Sequence, residues 1–293
     1  MLLDEMEANN LFTYLSLQKH TQNTIKSYTF IINRYLKQHP EAWQYGYKEI
    51  MDYFKQRLLN GKNRSGIILM QAGIKKYYDY LLHTGIIYYH PCRTICIKKQ
   101  NKNIIHRDLF TNQELSLLLK RAERYAVLKY RNKLLISLLI YQGLTLSEVI
   151  QLKTTDIDLD EATINVKAST TVNKRILNIK PSQLILLDKY LRLSRSKLIK
   201  TDTNALLLNK LGNPIKADDV QYLVETFKYL FPERKLNLQT IRQSVIANWL
   251  NSYQIPLEDV QLLAGHKRPS ATLKYQLPNM QQAVNTLNAH FPI

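Results

Sequence analysis

The spacing of apolar residues predicts a bundle of helices in the first third of the chain. Residues 4–19, 21–39, 47–59 and 65–82 each place apolar side chains three and four positions apart, which is the repeat of a helix with one buried face. Thr21 is suited to cap the second helix, and Pro40 limits where it can end. We therefore predict a small helical domain over residues 1–90.

The remainder of the chain combines helices with short strands. Residues 162–167 and 175–180 alternate apolar and polar side chains, which is typical of strands in a small sheet. Residues 205–208 are predicted to form a third strand. An apolar stretch at 131–142 predicts a helix that stops at Gly143. The predicted fold class is mainly α with a small β-sheet (α+β).

Two further helix starts and a C-terminal tail complete this pattern. Thr111 and Glu114 have the spacing of a capping box, and Pro181 begins a later helix. A short amphipathic helix is predicted at residues 279–291, to dock on a neighbouring subunit or on its own domain. The length of 293 residues is sufficient for two domains, each with its own core.

Charge changes the picture from an ordinary helical protein to one with a polyanionic partner. The chain has 41 Lys and Arg against 23 Asp and Glu, a formal net charge of +18. Such an excess repels itself unless a polyanion offsets it, and nucleic acid phosphate is the usual partner. The alternative is a generally basic surface that faces only solvent.

Other classes of protein fit the sequence less well. No apolar run approaches the roughly 18 residues of a membrane span, and the acidic first residues lack the layout of a signal peptide. We expect a cytoplasmic protein without a membrane partner. Cys92 and Cys96 are expected to be free thiols, because with His90 they lack the second ligand pair of a zinc site. No metal is predicted.

Candidate chemistry lies near the C-terminus. Residues 255–263 predict a helix with Pro256 in its first turn, and Gly265 ends it as a left-handed cap that turns His266 out of the helical register. A second helix starts at Pro269 and carries Tyr275. Upstream, residues 238–250 predict an amphipathic helix with Arg242 near its start.

These motifs resemble the tyrosine recombinase, or phage integrase, family. Gly265 and His266 match its Gly-His box, Tyr275 matches its nucleophile, and Arg242 matches its second arginine. In the resembled mechanism the tyrosine attacks a DNA phosphate without a cofactor, while Arg242 and His266 hold the phosphate oxygens. The family places a catalytic lysine in the turn between two strands, where Lys167 and Lys174 are both candidates.

The chain departs from the family pattern at two positions. Residues 144–152 resemble the first arginine motif, but Thr145 stands where the family has arginine. Gln239 stands where the family commonly has histidine, so it can donate a hydrogen bond but not a proton. Loss of one such arginine costs about a hundred- to a hundred-thousand-fold in rate. Either another cation, Lys153 or Arg175, takes its place, or catalysis is weakened.

The resemblance also implies a domain layout and partners. Residues 1–90 resemble the helical core-binding (SAM-like) DNA-binding domain, 91–108 a basic linker, and 109–293 the catalytic, integrase-like domain. The implied partner is double-stranded DNA, bound by a homo-tetramer, with no small-molecule substrate.

The function that follows is site-specific recombination or integration of a mobile element through a 3′-phosphotyrosyl intermediate. The alternative is a catalytically inactive relative that binds DNA as an architectural or regulatory factor. An unrelated basic helical protein, such as an RNA binder, is a third interpretation.

Overall fold

The structure is a computed structural model that describes residues 5–61, 63–98, 108–121, 123, 125–200 and 202–277, with side chains from residue 10 onward. The chain divides into two compact units, Met1–Lys102 and Asn103–Ile293. The predicted amphipathic tail at 279–291 lies outside the described residues. Within the described ranges, no helix combines the length and apolar character needed to cross a membrane.

Four helices form the N-terminal unit, as the apolar spacing predicts: α1 (Glu5–Leu17), α2 (Gln22–Gln38), α3 (Tyr47–Leu59) and α4 (Arg64–His83). The Thr21 hydroxyl accepts a hydrogen bond from the Thr24 amide and so caps α2, as predicted. The buried faces of these helices meet in one apolar core that includes Ile32, Phe54 and Ile74. Burial of these faces, rather than helix propensity, holds the bundle together.

The first part of the segment predicted as a linker belongs to this core. Cys92 is fully buried and Ile95 nearly so, both among the side chains of the N-terminal helices. The Gln71 side chain hydrogen-bonds the amide of Ile97 at 3.2 Å. Apolar side chains at positions 92, 95 and 97 outweigh the surrounding basic residues, so the chain leaves the bundle later than residue 91. Cys92 is a buried free thiol and Cys96 an exposed one.

The C-terminal unit is mostly helical. Its helices are α5 (Asn112–Leu117), α6 (Ala126–Tyr141), α7 (Leu146–Gln151), α8 (Pro181–Lys189), α9 (Ser196–Leu198), α10 (Ala217–Glu225), α11 (Leu238–Asn251), α12 (Leu257–Ala264) and α13 (Ser270–Leu273). The predicted capping box of Thr111 and Glu114 starts α5. Helix α6 is buried on nearly all sides and forms the centre of the core.

A small antiparallel sheet packs on this core, in the order β1 (Ile157–Asp158), β2 (Thr163–Val166), β3 (Arg175–Asn178). The pair β2 and β3 confirms two predicted strands. The prediction of a third strand at 205–208 is wrong: this segment makes only isolated bridges, to Lys153 and Pro214, and its leucines are buried in the apolar clusters of the unit. The third strand is β1, which is too short to show an alternating pattern. The fold class, mainly α with a small sheet, is as predicted.

Candidate active site

The corner at Gly265 is the centre of the candidate site. Helix α12 ends there with Gly265 in the left-handed conformation, at φ +69°, as predicted. The turn between β2 and β3 is hydrogen-bonded to this corner, because the Asn173 amide donates to the Gly265 carbonyl at 2.9 Å. Val172 and His266 form an isolated β-bridge. The sheet and the helix end are thereby held as one structure.

No side chain fits at Gly265. A Cβ atom there would lie 2.7 Å from Nη1 of Arg175, and the positive φ would strain any L-residue. We expect Gly265→Ala to lower the free energy of unfolding by more than the roughly 1–2 kcal/mol of the backbone strain alone. Gly85→Ala is the matched control, since Gly85 has φ +75° with open space around its Cβ position.

Trp43 lies in the N-terminal unit and Trp249 in the C-terminal unit. When one of the two tryptophans is replaced, the fluorescence of the other follows urea unfolding of its own unit, so the stability loss of each glycine variant can be measured in the unit that carries it. Equal losses for Gly265→Ala and Gly85→Ala would show that Arg175 moves aside without cost.

Tyr275 is buried beside this corner. Helix α13 is a single turn, so the expectation that it would carry Tyr275 is wrong: the tyrosine follows the last helical residue, Leu273. Its exposed fraction is 5%, and its ring stacks on that of His266 with 6.4 Å between centroids and 16° between planes. Burial raises the pKa of the phenol, while Arg242 and a hydrogen bond with Gln243 oppose that shift. The hydroxyl is therefore protonated and faces polar groups.

Arg242 projects from the first turns of α11 into the same corner. Its terminal nitrogens donate to the carbonyl of Gly143, after α6, and to that of Ala264 at the end of α12, the latter at 2.6 Å. Ala264 is the last residue of α12, where the carbonyls carry a partial negative charge that a guanidinium neutralises, and Gly143 follows the C-cap of α6. The side chain is 12% exposed, and Nη1 lies 3.9 Å from Oε2 of Glu148. Two helix ends thus fix the position of this charge.

His266 is a neutral ring in this site. Burial and the positive charges of Arg242, Lys274 and Arg175 lower the pKa of His266 to about 4. Nδ1 lies 2.8 Å from the hydroxyl of the buried Thr272. A neutral imidazole has one donor and one acceptor nitrogen. The role that Nδ1 takes in its hydrogen bond with Thr272 therefore determines whether Nε2 is the donor or the acceptor. Nε2 is the nitrogen left for a phosphate or a phenol.

Thr145 does not act as a cation or as a free hydroxyl. It is the N-cap of α7, where its Oγ1 accepts from the Glu148 amide at 3.3 Å and lies 2.9 Å from the Glu148 carboxylate. The backbone amide of Thr145 also donates to that carboxylate, at 2.7 Å. The residue that the sequence motif matches to the family's first arginine is therefore a helix cap in this structure.

One of the two proposed replacement cations reaches the site. Arg175, on β3, is buried and binds both oxygens of Glu148, at 2.6 and 3.2 Å. Lys153 lies elsewhere, in an isolated bridge with Ala205. Since both terminal nitrogens of Arg175 are held by Glu148, Arg242 is the guanidinium of this corner that is not paired bidentately with a carboxylate.

The two candidate lysines differ in their surroundings. The ammonium group of Lys167 pairs with Asp156 at 3.1 Å and is more than half exposed. Lys174 is exposed and follows Asn173, the residue bonded to the Gly265 corner. A third lysine, Lys267, donates to the Thr170 carbonyl at 3.0 Å and ties the β2–β3 turn to the corner. Gln239 is exposed on the first turn of α11, one turn before Arg242.

Sequence reasoning missed three contributors to this site: Glu148, Thr272 and Gln243. Thr145 and Glu148 have the capping-box spacing, which the sequence displays and which would have placed Glu148 at a helix start. Thr272 and Gln243 carry no such signal, because their roles depend on contacts with His266 and Tyr275 across the fold.

Most of the C-terminal unit matches a known protein family. Residues 108–282, well over half of the chain, match the phage integrase family. Tyrosine recombinase XerC of Lactobacillus delbrueckii subsp. bulgaricus is 27% identical over 227 residues, 75% of each chain. XerC of Thermodesulfovibrio yellowstonii is 23% identical over 293 residues, 97% of this chain and 95% of that protein.

Solved structures share the fold at lower identity. XerH recombinase bound to palindromic difH, in its post-cleavage complex, covers 97% of this chain and 84% of its own, with a TM-score of 0.74 and 16% identity. The Tn1549 transposon integrase with circular intermediate DNA covers 96% and 99%, with a TM-score of 0.70 and 16% identity. The family match, together with Arg242, His266 and Tyr275 at one corner, shows that the chain belongs to the phage integrase family of tyrosine recombinases.

Proposed function

We propose that this protein is a site-specific DNA recombinase that breaks and rejoins strands through a phosphotyrosine link. The observation that carries the proposal is the meeting of a phenol, an imidazole and a guanidinium at one corner. Tyr275 stacks on His266, and Arg242 is close enough to act on the pKa of both. Burial raises the pKa of Tyr275 while Arg242 and Gln243 oppose that shift, and a titratable group perturbed in this way is typical of a functional site.

In the proposed reaction the Tyr275 oxygen attacks a backbone phosphorus and displaces the 5′-oxygen of the next nucleotide. A 3′-phosphotyrosyl link forms, and the 5′-hydroxyl of a second strand later reverses the step. Arg242 meets the charge that develops on the phosphate oxygens, and its two helix-end carbonyls hold it in place beforehand. As the bond to phosphorus forms, the phenol proton leaves, and Nε2 of His266, which is neutral at physiological pH, is the proposed acceptor.

The displaced 5′-oxygen needs a proton, which a lysine of the β2–β3 turn would supply. Lys167 is paired with Asp156, whereas Lys174 is exposed beside the residue that contacts the Gly265 corner. We favour Lys174 on these contacts, with Lys167 as the second candidate. Gln239, if it reaches the phosphate, can only donate a hydrogen bond.

Double-stranded DNA is the proposed substrate and partner. The net charge of +18 suits a protein that follows a phosphate backbone. The named relatives include XerH bound to difH and the Tn1549 integrase bound to circular intermediate DNA. We propose the N-terminal helical unit as the core-binding domain, the C-terminal unit as the catalytic domain and a homo-tetramer on DNA as the active assembly.

A nicked suicide duplex tests the proposal. Cleavage next to a nick releases a short fragment, so religation fails and the protein stays covalently attached to DNA. We expect a denaturation-resistant complex on a duplex that carries the cognate site. Tight binding without any adduct would instead favour the second candidate, an inactive relative that only binds DNA. That candidate is kept because Thr145 caps a helix and supplies no positive charge.

Thr145→Arg tests whether catalysis is weakened at this position. A second unpaired guanidinium should stabilise the transition state, so we expect the single-turnover cleavage rate to rise by about tenfold or more. The gain would come at some loss of stability, about 1 kcal/mol, because the cap of α7 is removed. Thr145→Ser keeps the cap without adding charge and is the matched control. An unchanged rate in Thr145→Arg, with the fold intact, would show that the pocket lacks no cation.

A further inference from the structure

Glu148 is a buried carboxylate that lies near the guanidinium groups of both Arg175 and Arg242. Its side chain is 4% exposed. Oε2 accepts from the Thr145 amide at 2.7 Å, binds Nη2 of Arg175 at 3.2 Å and lies 3.9 Å from Nη1 of Arg242. A negative charge therefore stands within reach of the cation proposed to hold the phosphate.

Arg175 occupies this carboxylate on both oxygens. Its side chain is 5% exposed, and Nη1 lies 2.6 Å from Oε1 of Glu148. The bidentate geometry is the strongest pairing available between a guanidinium and a carboxylate. A Cβ atom at Gly265 would lie 2.7 Å from Nη1 of this guanidinium, so the glycine leaves the space that Arg175 occupies. The pair therefore lies next to the corner that presents His266.

Without Arg175, the carboxylate would turn to the other guanidinium. Burial raises the pKa of Glu148, but the hydrogen bonds and charge of Arg175, together with the Thr145 amide and the charge of Arg242, lower it overall. A buried ionised carboxylate needs a counter-ion, and Arg242 is already 3.9 Å away. If Glu148 paired with Arg242, the carboxylate would neutralise part of the guanidinium charge, and Arg242 would attract a phosphate less strongly.

We propose that Arg175 is a positioning residue: by holding both oxygens of Glu148, it keeps the charge of Arg242 available for the phosphate of DNA. The inference rests on the proposed function, and it concerns a residue on a strand far in sequence from Arg242. The same pairing explains why Arg175 does not replace the arginine that is missing at position 145: both of its terminal nitrogens bind Glu148 and not a phosphate.

The test compares three variants: Arg175→Gln, Glu148→Gln and the double variant. We expect Arg175→Gln to lower single-turnover cleavage of the suicide duplex by about a hundredfold. Duplex affinity should change by less than about tenfold, because binding is shared among many phosphate contacts. In the double variant the stray carboxylate is gone, so cleavage should recover to within about tenfold of the wild type. Thermal unfolding identifies any variant that fails to fold.

Two outcomes would overturn the inference. In the first, Arg175→Gln is folded and cleaves within about threefold of the wild type. In the second, the double variant is folded but remains as slow as Arg175→Gln, so that Arg175 acts by something other than its hold on Glu148. Recovery in the double variant is the result that a merely structural role does not produce.

A titration without DNA separates this inference from the proposed function. Arg175 and Glu148 have opposite effects on the pKa of His266, which is about 4 in the intact pocket. NMR titration of His266 should show that pKa raised in Arg175→Gln and partly restored in the double variant. An unchanged pKa in Arg175→Gln would overturn the inference even if the wild type cleaves DNA. A wild type that forms no adduct but shows both pKa changes would overturn the proposed function alone.

Discussion

Tyr275→Phe is expected to abolish the covalent complex with a suicide duplex while leaving DNA binding intact. The substitution removes one oxygen, the nucleophile, and keeps the ring that packs on His266 and on the buried side chains of α11 and α12. No neighbouring group replaces it: His266 is held through Nδ1 by Thr272, and Gln243 is not a nucleophile. Adduct on a denaturing gel should fall below detection.

Tyr253→Phe is the matched control for this substitution. Tyr253 is exposed and follows α11, so it is another tyrosine of the same unit without a place in the pocket. Its variant should form adduct at the wild-type rate. Adduct that persists in Tyr275→Phe would assign the nucleophile to another of the 19 tyrosines.

Arg242→Gln is expected to lower single-turnover cleavage by about a thousandfold or more. The guanidinium is not bidentately paired with a carboxylate, and loss of such a charge from a phosphoryl-transfer site costs about three to five orders of magnitude. The variant also loses its hydrogen bonds to the carbonyls of Gly143 and Ala264, so it should be less stable by about 1–3 kcal/mol.

Arg234→Gln separates the loss of stability from the loss of catalysis. Arg234 is another partly buried arginine of the same unit, paired with Glu114 and bonded to the Leu109 carbonyl at 3.0 Å. Its replacement should also destabilise the unit but leave the cleavage rate near that of the wild type. Equal losses of cleavage in Arg234→Gln and Arg242→Gln would mean that stability, not phosphate binding, explains the effect of Arg242.

The parts of the fold that sequence predicts well are those with local signals. Helix α2 has a capping threonine and a regular apolar face, and α12 has a proline at its start and a glycine at its end. Each signal acts within a few residues, so tertiary contacts do not overrule it. For the same reason the sequence alone predicts the Gly265–His266 corner and the helix that carries Arg242.

The parts that could not be predicted depend on contacts between distant segments. The pairing of Arg175 with Glu148 joins β3 to α7. The register of β3 against β2 does not predict that the Arg175 side chain contacts α7. Residues 205–208 have the composition of a strand but lack a neighbouring strand to pair with, so composition was misleading there. The burial of Tyr275 follows from the packing of α11 and α12, which the spacing of residues near Tyr275 does not encode.

Tyr275 is expected to form a bond to DNA at this corner, and the chemical identity of that link can be measured. The complex trapped on a suicide duplex is digested with protease and nuclease, and the modified peptide is located by mass spectrometry. We predict a nucleotide joined through its 3′-phosphate to Tyr275, with a free 5′-hydroxyl on the released strand that polynucleotide kinase can label. A link to any other residue, or a 5′-phosphate on the released strand, would contradict the account.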